Sequence, residues 1–310
     1  MRTKIGVALA LLLSSMLAFG CAASKGYNLK MKFTEGRVDH YLQTSVSEVN
    51  TQMLGQAITV TQKMNVYFDQ TVLEATADGG HVIQQTLTRI VMNTDMAFMS
   101  VTIDTAVPED RAKPLGEVMN ALVDKPLLMK INAEGDIVDI KGLEKVQEAV
   151  ESSELMKNAE GADPKANLKE LFEGEFYEKM ALIPMAPGNI QVGHTWTKER
   201  TRKVPQIGEL QYKETMTLES VEHGVAKVVT TAEFDQGESG KLTLDIKTPS
   251  MNAKADILNL SMDGEYFLDL DAGIMIRRQN ILQFEMKMVG AAAGAVPLAV
   301  RATESTVLME

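Results

Sequence analysis

The feature that most constrains this chain is a series of β-forming stretches in which apolar residues recur with a period of two. Thr59–Phe68 is one example, since Val60, Met64, Val66 and Phe68 would share one face of a strand. Such a stretch buries one face and exposes the other. The pattern therefore predicts sheet, and it recurs over residues 27–107 and again after Ile190.

Glycine-containing turns separate pairs of these stretches and predict β-hairpins. The turns are Asp78-Gly79-Gly80, Glu134-Gly135, His223-Gly224 and Asp271-Ala272-Gly273. After a connection of small residues at Gly290–Pro297, we interpret Leu298–Leu308 as a closing strand.

The middle of the chain has helical spacing instead. Helices are predicted from Pro114 onward, along the face formed by Leu143, Val146 and Val150, and after Asp163-Pro164. Residues 134–178 hold 13 acidic and 5 basic residues. They form either solvated helix faces or an acidic surface for a basic partner.

The two β-rich parts resemble each other. The resemblance pairs Leu73–Ile90 with Leu218–Phe234, Leu127–Gly142 with Glu265–Asn280, and Gly36 before Tyr41 with Gly193 before Trp196. We therefore expect a mainly β (α+β) fold: a curved antiparallel sheet or open half-barrel from two similar β units, with a central helical segment. The predicted divisions are residues 1–20, 21–26, 27–109, 110–183 and 184–310. The pattern leaves open whether the strands form one continuous sheet or two small domains.

The N-terminus predicts an address in the cell envelope. Residues 1–20 have a basic start and an apolar stretch, the layout of a secretory signal. Cys21, the only cysteine, follows a lipobox-like run, so we expect lipidation there and a short tether over residues 21–26. Acyl chains such as palmitate would hold the protein to a membrane without spanning it. Ala22, where Asp would signal inner-membrane retention, favours the outer membrane. The alternative is cleavage after Ala23 and a soluble secreted protein.

Composition excludes several classes of protein. The 310 residues are 45% hydrophobic with a net charge of −11, so neither a disordered chain nor a nucleic-acid binder is expected. A single cysteine excludes a disulfide scaffold and a cysteine-clustered metal site.

Several segments resemble a family of uncharacterised bacterial envelope proteins, mostly lipoproteins, that form a domain-of-unknown-function family. The matching features are Tyr27-Asn28-Leu29-Lys30 with Phe33 and Gly36, Gly55-Gln56 before a strand, the hairpin at 64–90, and Ile183-Pro184 with Val192-Gly193-His194-Thr195-Trp196. His194 stands where members often carry an acid. The resemblance covers nearly the whole mature chain and implies location and architecture, but no activity.

No catalytic set is apparent. His40, His81, His194 and His223 lack metal-ligand spacing, and we interpret them as surface or half-buried strand and turn residues. Gly237-Glu238-Ser239-Gly240 lacks the spacing of a nucleophile elbow, and Gly240-Lys241 does not complete a phosphate loop.

Two further groups of residues are possible metal ligands. Asp269 and Asp271, with Asp263 and Glu265 nearby, could hold Ca²⁺, but the same residues suit hairpin turns. Met286 and Met288 share a strand face, which invites a copper site. The 20 methionines more often indicate an ordinary core, or an adaptable apolar groove.

These features predict a non-enzymatic envelope lipoprotein, without cofactor or metal, that binds a lipid or acyl chain in an apolar groove. Its expected partner is the membrane, through Cys21. The alternative is a structural or protein-interaction lipoprotein with a filled core. An enzyme is the third possibility, and no group of residues supports it.

Overall fold

The structure is a computed structural model. It describes residues 26–53, 56–77, 79–96, 99–133, 136–153, 186, 188–204, 208–235, 242–248, 251–289 and 297–309. The predicted signal segment, Cys21, the helix after Asp163-Pro164, the Glu134-Gly135 turn and most of the small-residue connection lie outside the described residues.

Strands and short helices make up the first part of the chain. The strands are β1 Tyr27–Asn28, β2 Val38–Met53, β3 Gln56–Ala75, β4 His81–Met96, β5 Met99–Asp104, β6 Leu127–Ile131 and β7 Ile137–Lys141. The helices are α1 Pro108–Arg111, α2 Pro114–Asn120 and α3 Leu143–Glu151.

The second part, as far as it is described, consists of strands. They are β8 Asn189–Ile190, β9 Thr195–Val204, β10 Gly208–Glu222, β11 Val225–Phe234, β12 Leu242–Thr248, β13 Met251–Asp269, β14 Ile274–Val289 and β15 Pro297–Leu308. The predicted hairpins are therefore confirmed, as are the helices that begin at Pro114 and Leu143.

Thirteen strands form one continuous antiparallel sheet, which is curved and not closed. Its order is β7-β6-β4-β3-β2-β15-β14-β13-β11-β10-β9, with β5 paired to β4 and β12 paired to β13. β1 and β8 form a separate two-stranded sheet. The mainly β, curved antiparallel fold is confirmed, and all strands except β1 and β8 form one continuous sheet.

The sheet order contains the same arrangement twice. The run β7-β6-β4-β3-β2, here called the first unit, matches β14-β13-β11-β10-β9, the second unit, strand for strand in chain order. β15 lies between the units, because it pairs with β14 on one side and β2 on the other. The strand that we interpreted as closing the fold is therefore at the centre of the sheet.

Equivalent backbone hydrogen bonds within each unit show which residues of the two units correspond. Gly36 N donates to Val72 O and Val72 N to Arg37 O; in the second unit Gly193 N donates to Leu218 O and Leu218 N to His194 O.

Each of these contacts adjoins a β-bulge, after Val72 in β3 and after Leu218 in β10. Leu218 thus corresponds to Val72, one residue away from the Leu73 that sequence similarity suggested. Since successive strand residues face opposite sides, that shift exchanges the buried and exposed faces.

The main hydrophobic core lies near the edge of the sheet that carries the turns at Gly79, Gly224 and Gly273, here called the turn rim. Phe68, Ile83, Leu127 and Met129 are all fully buried there. The apolar positions of the helices pack on the same core, through Val118 and Met119 of α2 and Val146 and Val150 of α3.

The segment before β2 crosses the turn rim. Lys32 N donates to Gly273 O, the Phe33 ring lies 4.4 Å from the His81 ring, and Gly36 N donates to Val72 O. Leu29 in this segment is 2% exposed. The N-terminal segment thus seals one end of the core and leaves the opposite edge, the far rim, to the ends of the long strands.

Candidate ligand-binding face

A row of apolar side chains continues from the core toward the far rim, on the core-facing side of the sheet. In the second unit, Tyr212 lies opposite Phe234. Across the central strands, Phe284 lies opposite Val300, and Val300 lies opposite Val49.

A second apolar row runs beside the first. Ala232 lies opposite Met262, Met262 opposite Leu282, and Leu282 opposite Ala302. We call the two rows together the apolar tract: Val49, Tyr212, Ala232, Phe234, Met262, Leu282, Phe284, Val300 and Ala302.

Most of the apolar tract is only half-buried. Phe234 is 8% exposed, but Met262, Leu282, Phe284 and Val300 all retain partial exposure, whereas core residues near the turn rim are at 0–2%. The tract crosses β10, β11, β13, β14, β15 and β2, which at about 4.8 Å between strands spans roughly 24 Å. It is a long apolar surface that the described residues cover incompletely.

Charged side chains stand at the β9–β10 end of this tract. On the same face, Lys198 lies opposite Glu214 and Arg200 lies opposite Tyr212. We call Lys198, Arg200 and Glu214 the charged corner. Met216 and Leu218 show that these side chains point to the core-facing side of the sheet. Both are fully buried, and they follow Glu214 at intervals of two residues.

Glu214 is 5% exposed and accepts two hydrogen bonds. Arg200 Nε donates to its Oε2 at 3.1 Å, and the Tyr266 hydroxyl donates to its Oε1 at 3.4 Å. Burial raises the pKa of Tyr266 to about 12, against the opposing effect of nearby Arg278. The hydroxyl therefore keeps its proton and its donor role at neutral pH.

The guanidinium of Arg200 is held through Nε alone. Among the described side chains, none bonds to its Nη1 or Nη2, and the side chain is 24% exposed. A cleft of about 540 Å³ lies beside this corner. The side chains of Glu199, Lys213 and Glu233 in its lining lie on the opposite face of the sheet from Arg200, Tyr212 and Phe234.

The first unit has no charges at the equivalent positions. Register places Tyr41 and Phe68 where the second unit has Lys198 and Glu214. The Tyr41 and Phe68 rings stack with centroids 5.4 Å apart. The sequence patterns do not predict Arg200 or Glu214 as site residues. The available signal was the single acidic residue among the inward-facing positions Tyr212, Glu214, Met216 and Leu218.

The four histidines are not brought together. His40 Nδ1 lies 2.6 Å from Asp69 Oδ1 at an exposed site. Burial lowers the pKa of His81, which packs on Phe33. His194 stacks with Trp196 at 6.4 Å, and His223 occupies the β10–β11 turn with φ 50°.

The acidic residues weighed as calcium ligands have local partners. Asp269 Oδ1 accepts hydrogen bonds from the backbone N–H groups of Asp271 and Ala272, both at 2.8 Å, as in an Asx turn. Glu265 pairs with Lys227 and Arg277. In the described part of the chain, no group of three or more His, Cys, Asp or Glu side chains is placed to hold a metal ion.

The methionine pair does not form a described site. Met286 is 9% exposed and packs with Ala255, Phe284 and Leu298 in a small apolar cluster. The side chain of Met288 lies outside the described side chains. Met262, by contrast, contributes to the apolar tract.

The sequence model of a family of unknown function, DUF6263, matches residues 78–275, well over half of the chain. The chain belongs to this family. The match includes all of β4, the strands β9, β10, β11 and β13 of the second unit with only the first two residues of β14, and the charged corner. No curated protein sequence matches this DUF6263 member.

Two solved structures are similar to this DUF6263 member at low identity. A lipovitellin structure is 12% identical with a TM-score of 0.47, over 90% of this chain and 26% of the lipovitellin chain. This chain thus spans about a quarter of lipovitellin. The COG4313 outer membrane channel from Pseudomonas putida F1 is 7% identical with a TM-score of 0.22, over 90% of this chain and 98% of the channel.

No helix within the described residues is long and apolar enough to cross a bilayer.

Proposed function

We propose that this DUF6263 member is a non-enzymatic, lipid-anchored envelope protein that binds a hydrophobic ligand, a lipid or acyl chain, along the apolar tract. The observation that carries the proposal is the half-exposed apolar surface that continues from the buried core toward the far rim. A contiguous, partly exposed apolar surface of this length is typical of an interaction or ligand site.

The opposite face of the same strands supports this interpretation. There the neighbouring positions are polar, as at Glu48, Lys63, Asp263, Gln283 and Arg301, and all five are exposed. The strands thus alternate as a sheet with one solvated face should. The apolar face is therefore patterned for contact with an apolar molecule, whereas its partial exposure leaves room for one.

The anchor is part of the proposal. Cys21 would carry the acyl chains, and the six residues to Tyr27 can span at most about 20 Å. Tyr27 pairs with Ile190 in the small sheet beside the turn rim. We therefore propose that the turn rim faces the membrane, at the periplasmic face or the outer membrane, while the far rim receives the ligand.

The test is native mass spectrometry of the mature chain, Cys21–Glu310, carrying Cys21→Ser to prevent lipid attachment. The protein is purified without detergent and measured before and after organic extraction. A reproducible apolar adduct that extraction removes is expected. Leu282→Gln should abolish it, whereas Ile281→Gln, the neighbouring position on the opposite face, should not.

The second candidate is a structural or protein-interaction lipoprotein. It is favoured by the fully buried core near the turn rim, where Phe68, Ile83, Leu127 and Met129 have no exposed surface. A bare mass that offered lipids do not change would support this role over ligand binding.

A further inference from the structure

The charged corner is not required by the fold. The first unit builds the equivalent corner from Tyr41 and Phe68, with an aromatic stack and no charge. Burying a carboxylate such as Glu214 is unfavourable unless partners compensate it, and an apolar replacement of a buried ion pair is often neutral or stabilising. The second unit therefore retains charges at a position where its own repeat shows that apolar side chains fit.

The arrangement orients Arg200 for an external anion. Glu214 holds Arg200 through Nε, which fixes the plane of the guanidinium. Nη1 and Nη2 have no partner among the described side chains, and the Arg200 side chain is 24% exposed. A planar guanidinium whose two terminal NH₂ groups are free can donate two parallel hydrogen bonds to a carboxylate.

Arg200 stands directly at the end of the apolar tract. Its cross-strand neighbour is Tyr212, and the row continues through Phe234 to Phe284. The two rows of the tract lie about 7 Å apart along the strands. Ile257, Met286 and Leu298 continue the same face beyond them. A row that begins at a single arginine suits one extended acyl chain.

We propose that Arg200 binds the carboxylate of a single-chain lipid, a long-chain fatty acid, whose chain lies along the apolar tract. The inference rests on the proposed function, since it assigns a head group to the same ligand. Glu214 acts as the positioning residue for Arg200. The Tyr266 hydroxyl donates the second hydrogen bond to Glu214.

The test uses the mature Cys21→Ser chain and the neutral dye Nile red as a reporter of the apolar tract. Hexadecanoate, hexadecan-1-ol and a dipalmitoyl phosphatidylglycerol are offered as competitors. The wild-type tract should bind hexadecanoate roughly tenfold more tightly than hexadecan-1-ol. Arg200→Gln should remove that preference while hexadecan-1-ol binding stays within about twofold.

Two further variants make the result specific. Arg277→Gln removes the same charge from the opposite face, where Arg277 pairs with Glu265, and should leave both affinities unchanged. Arg200→Lys keeps the charge but not the fork, and should lose part of the preference. If Arg200→Gln fails to bind hexadecan-1-ol, Arg200→Lys tests the head-group assignment. The assignment holds if Arg200→Lys binds hexadecan-1-ol and loses part of the preference for hexadecanoate, and it is overturned if the preference is unchanged.

The outcomes separate the two proposals. Binding of hexadecanoate that is unaffected by Arg200→Gln, or equal binding of acid and alcohol by the wild type, overturns the head-group assignment and leaves the apolar-ligand function standing. Tighter binding of the phospholipid than of hexadecanoate overturns the single-chain assignment. Absence of any dye binding or displacement overturns the proposed function itself.

Discussion

Lys198 and Asp136 form an ion pair across the gap between the two edges of the sheet. Lys198 lies on the edge strand β9, and Asp136 directly precedes the other edge strand, β7. Both side chains are about one-third exposed, at 34% and 39%. The pair thus connects strands that share no backbone hydrogen bond, through a residue of the charged corner.

Asp136→Asn should lower the free energy of unfolding by about 0.5–1 kcal/mol, because a partly exposed ion pair stabilises only modestly. Urea unfolding measures the change. The matched control is Asp139→Asn in β7, whose contact with Lys141 is longer, at 3.9 Å, and more exposed. An equal loss in both variants would show that the edge-to-edge pair has no special role.

The equivalent glycines of the two units should respond alike to substitution. Gly36 and Gly193 have φ of +78° and +86°, and nothing lies within 4 Å of an added Cβ. Gly→Ala at either site should therefore cost about 1–2 kcal/mol through backbone conformation alone. Thermal or urea unfolding of the two variants should give losses that agree within about 0.5 kcal/mol.

Gly80→Ala is the contrasting variant. Its Cβ would lie 2.1 Å from the backbone oxygen of Ile131, so the strands β4 and β6 would have to separate. The expected loss is about 3 kcal/mol, larger than at Gly36. A smaller loss than at Gly36 would contradict the close approach of these strands.

How much of this fold the sequence predicts depends on the range of the interactions. Hairpins such as the one around Gly79-Gly80 depend on a few adjacent residues, and their signals were sufficient. The central position of β15 depends on pairing Leu308 with Tyr41, far apart in the chain, and no local pattern specifies that partner. The repeat between units was detectable, but the bulges after Val72 and Leu218 determine its register.

The candidate site was harder to predict for a related reason. Methionine content indicated an adaptable apolar surface, and Met262 does belong to the tract. Glu214, by contrast, looks like an ordinary solvent-facing residue until strand register shows that it shares a face with Met216 and Leu218. Arg200 can be recognised as a site residue only through its hydrogen bond to Glu214 on the neighbouring strand.

The stability of the protein should fall at high pH through Tyr266. Burial raises its pKa in the folded state to about 12, from 10.0 for an unperturbed tyrosine. Above pH about 10 the unfolded chain loses this proton while the folded protein keeps it, so unfolding becomes progressively more favourable up to pH about 12.

The loss of unfolding free energy that Tyr266 causes should reach about 2 kcal/mol at pH 12. Tyr266→Phe should therefore show a shallower decline in unfolding free energy between pH 10 and 12, measured by urea titration at each pH. Burial also raises the pKa of Tyr41, so part of the decline should remain. An unchanged slope in Tyr266→Phe would show that the Tyr266 hydroxyl ionises normally.

The charged corner can be replaced with the side chains of the first unit. Lys198→Tyr, Arg200→Gln and Glu214→Phe together reproduce Tyr41, Gln43 and Phe68 at their equivalent positions. Because an apolar replacement removes the desolvation of Glu214, the triple variant should unfold within about 1 kcal/mol of the wild type or be more stable. Glu214→Phe alone should lose about 2 kcal/mol, because it leaves Arg200 partly buried without its partner.

Comparing stability with binding makes this variant decisive for function. The triple variant keeps the apolar tract, so it should bind hexadecan-1-ol as the wild type does and lose the preference for hexadecanoate. Urea unfolding and Nile red displacement on the same samples measure both properties. If the triple variant were strongly destabilised, the charges would be structural. If it were stable and still preferred hexadecanoate, the carboxylate would bind elsewhere on the protein.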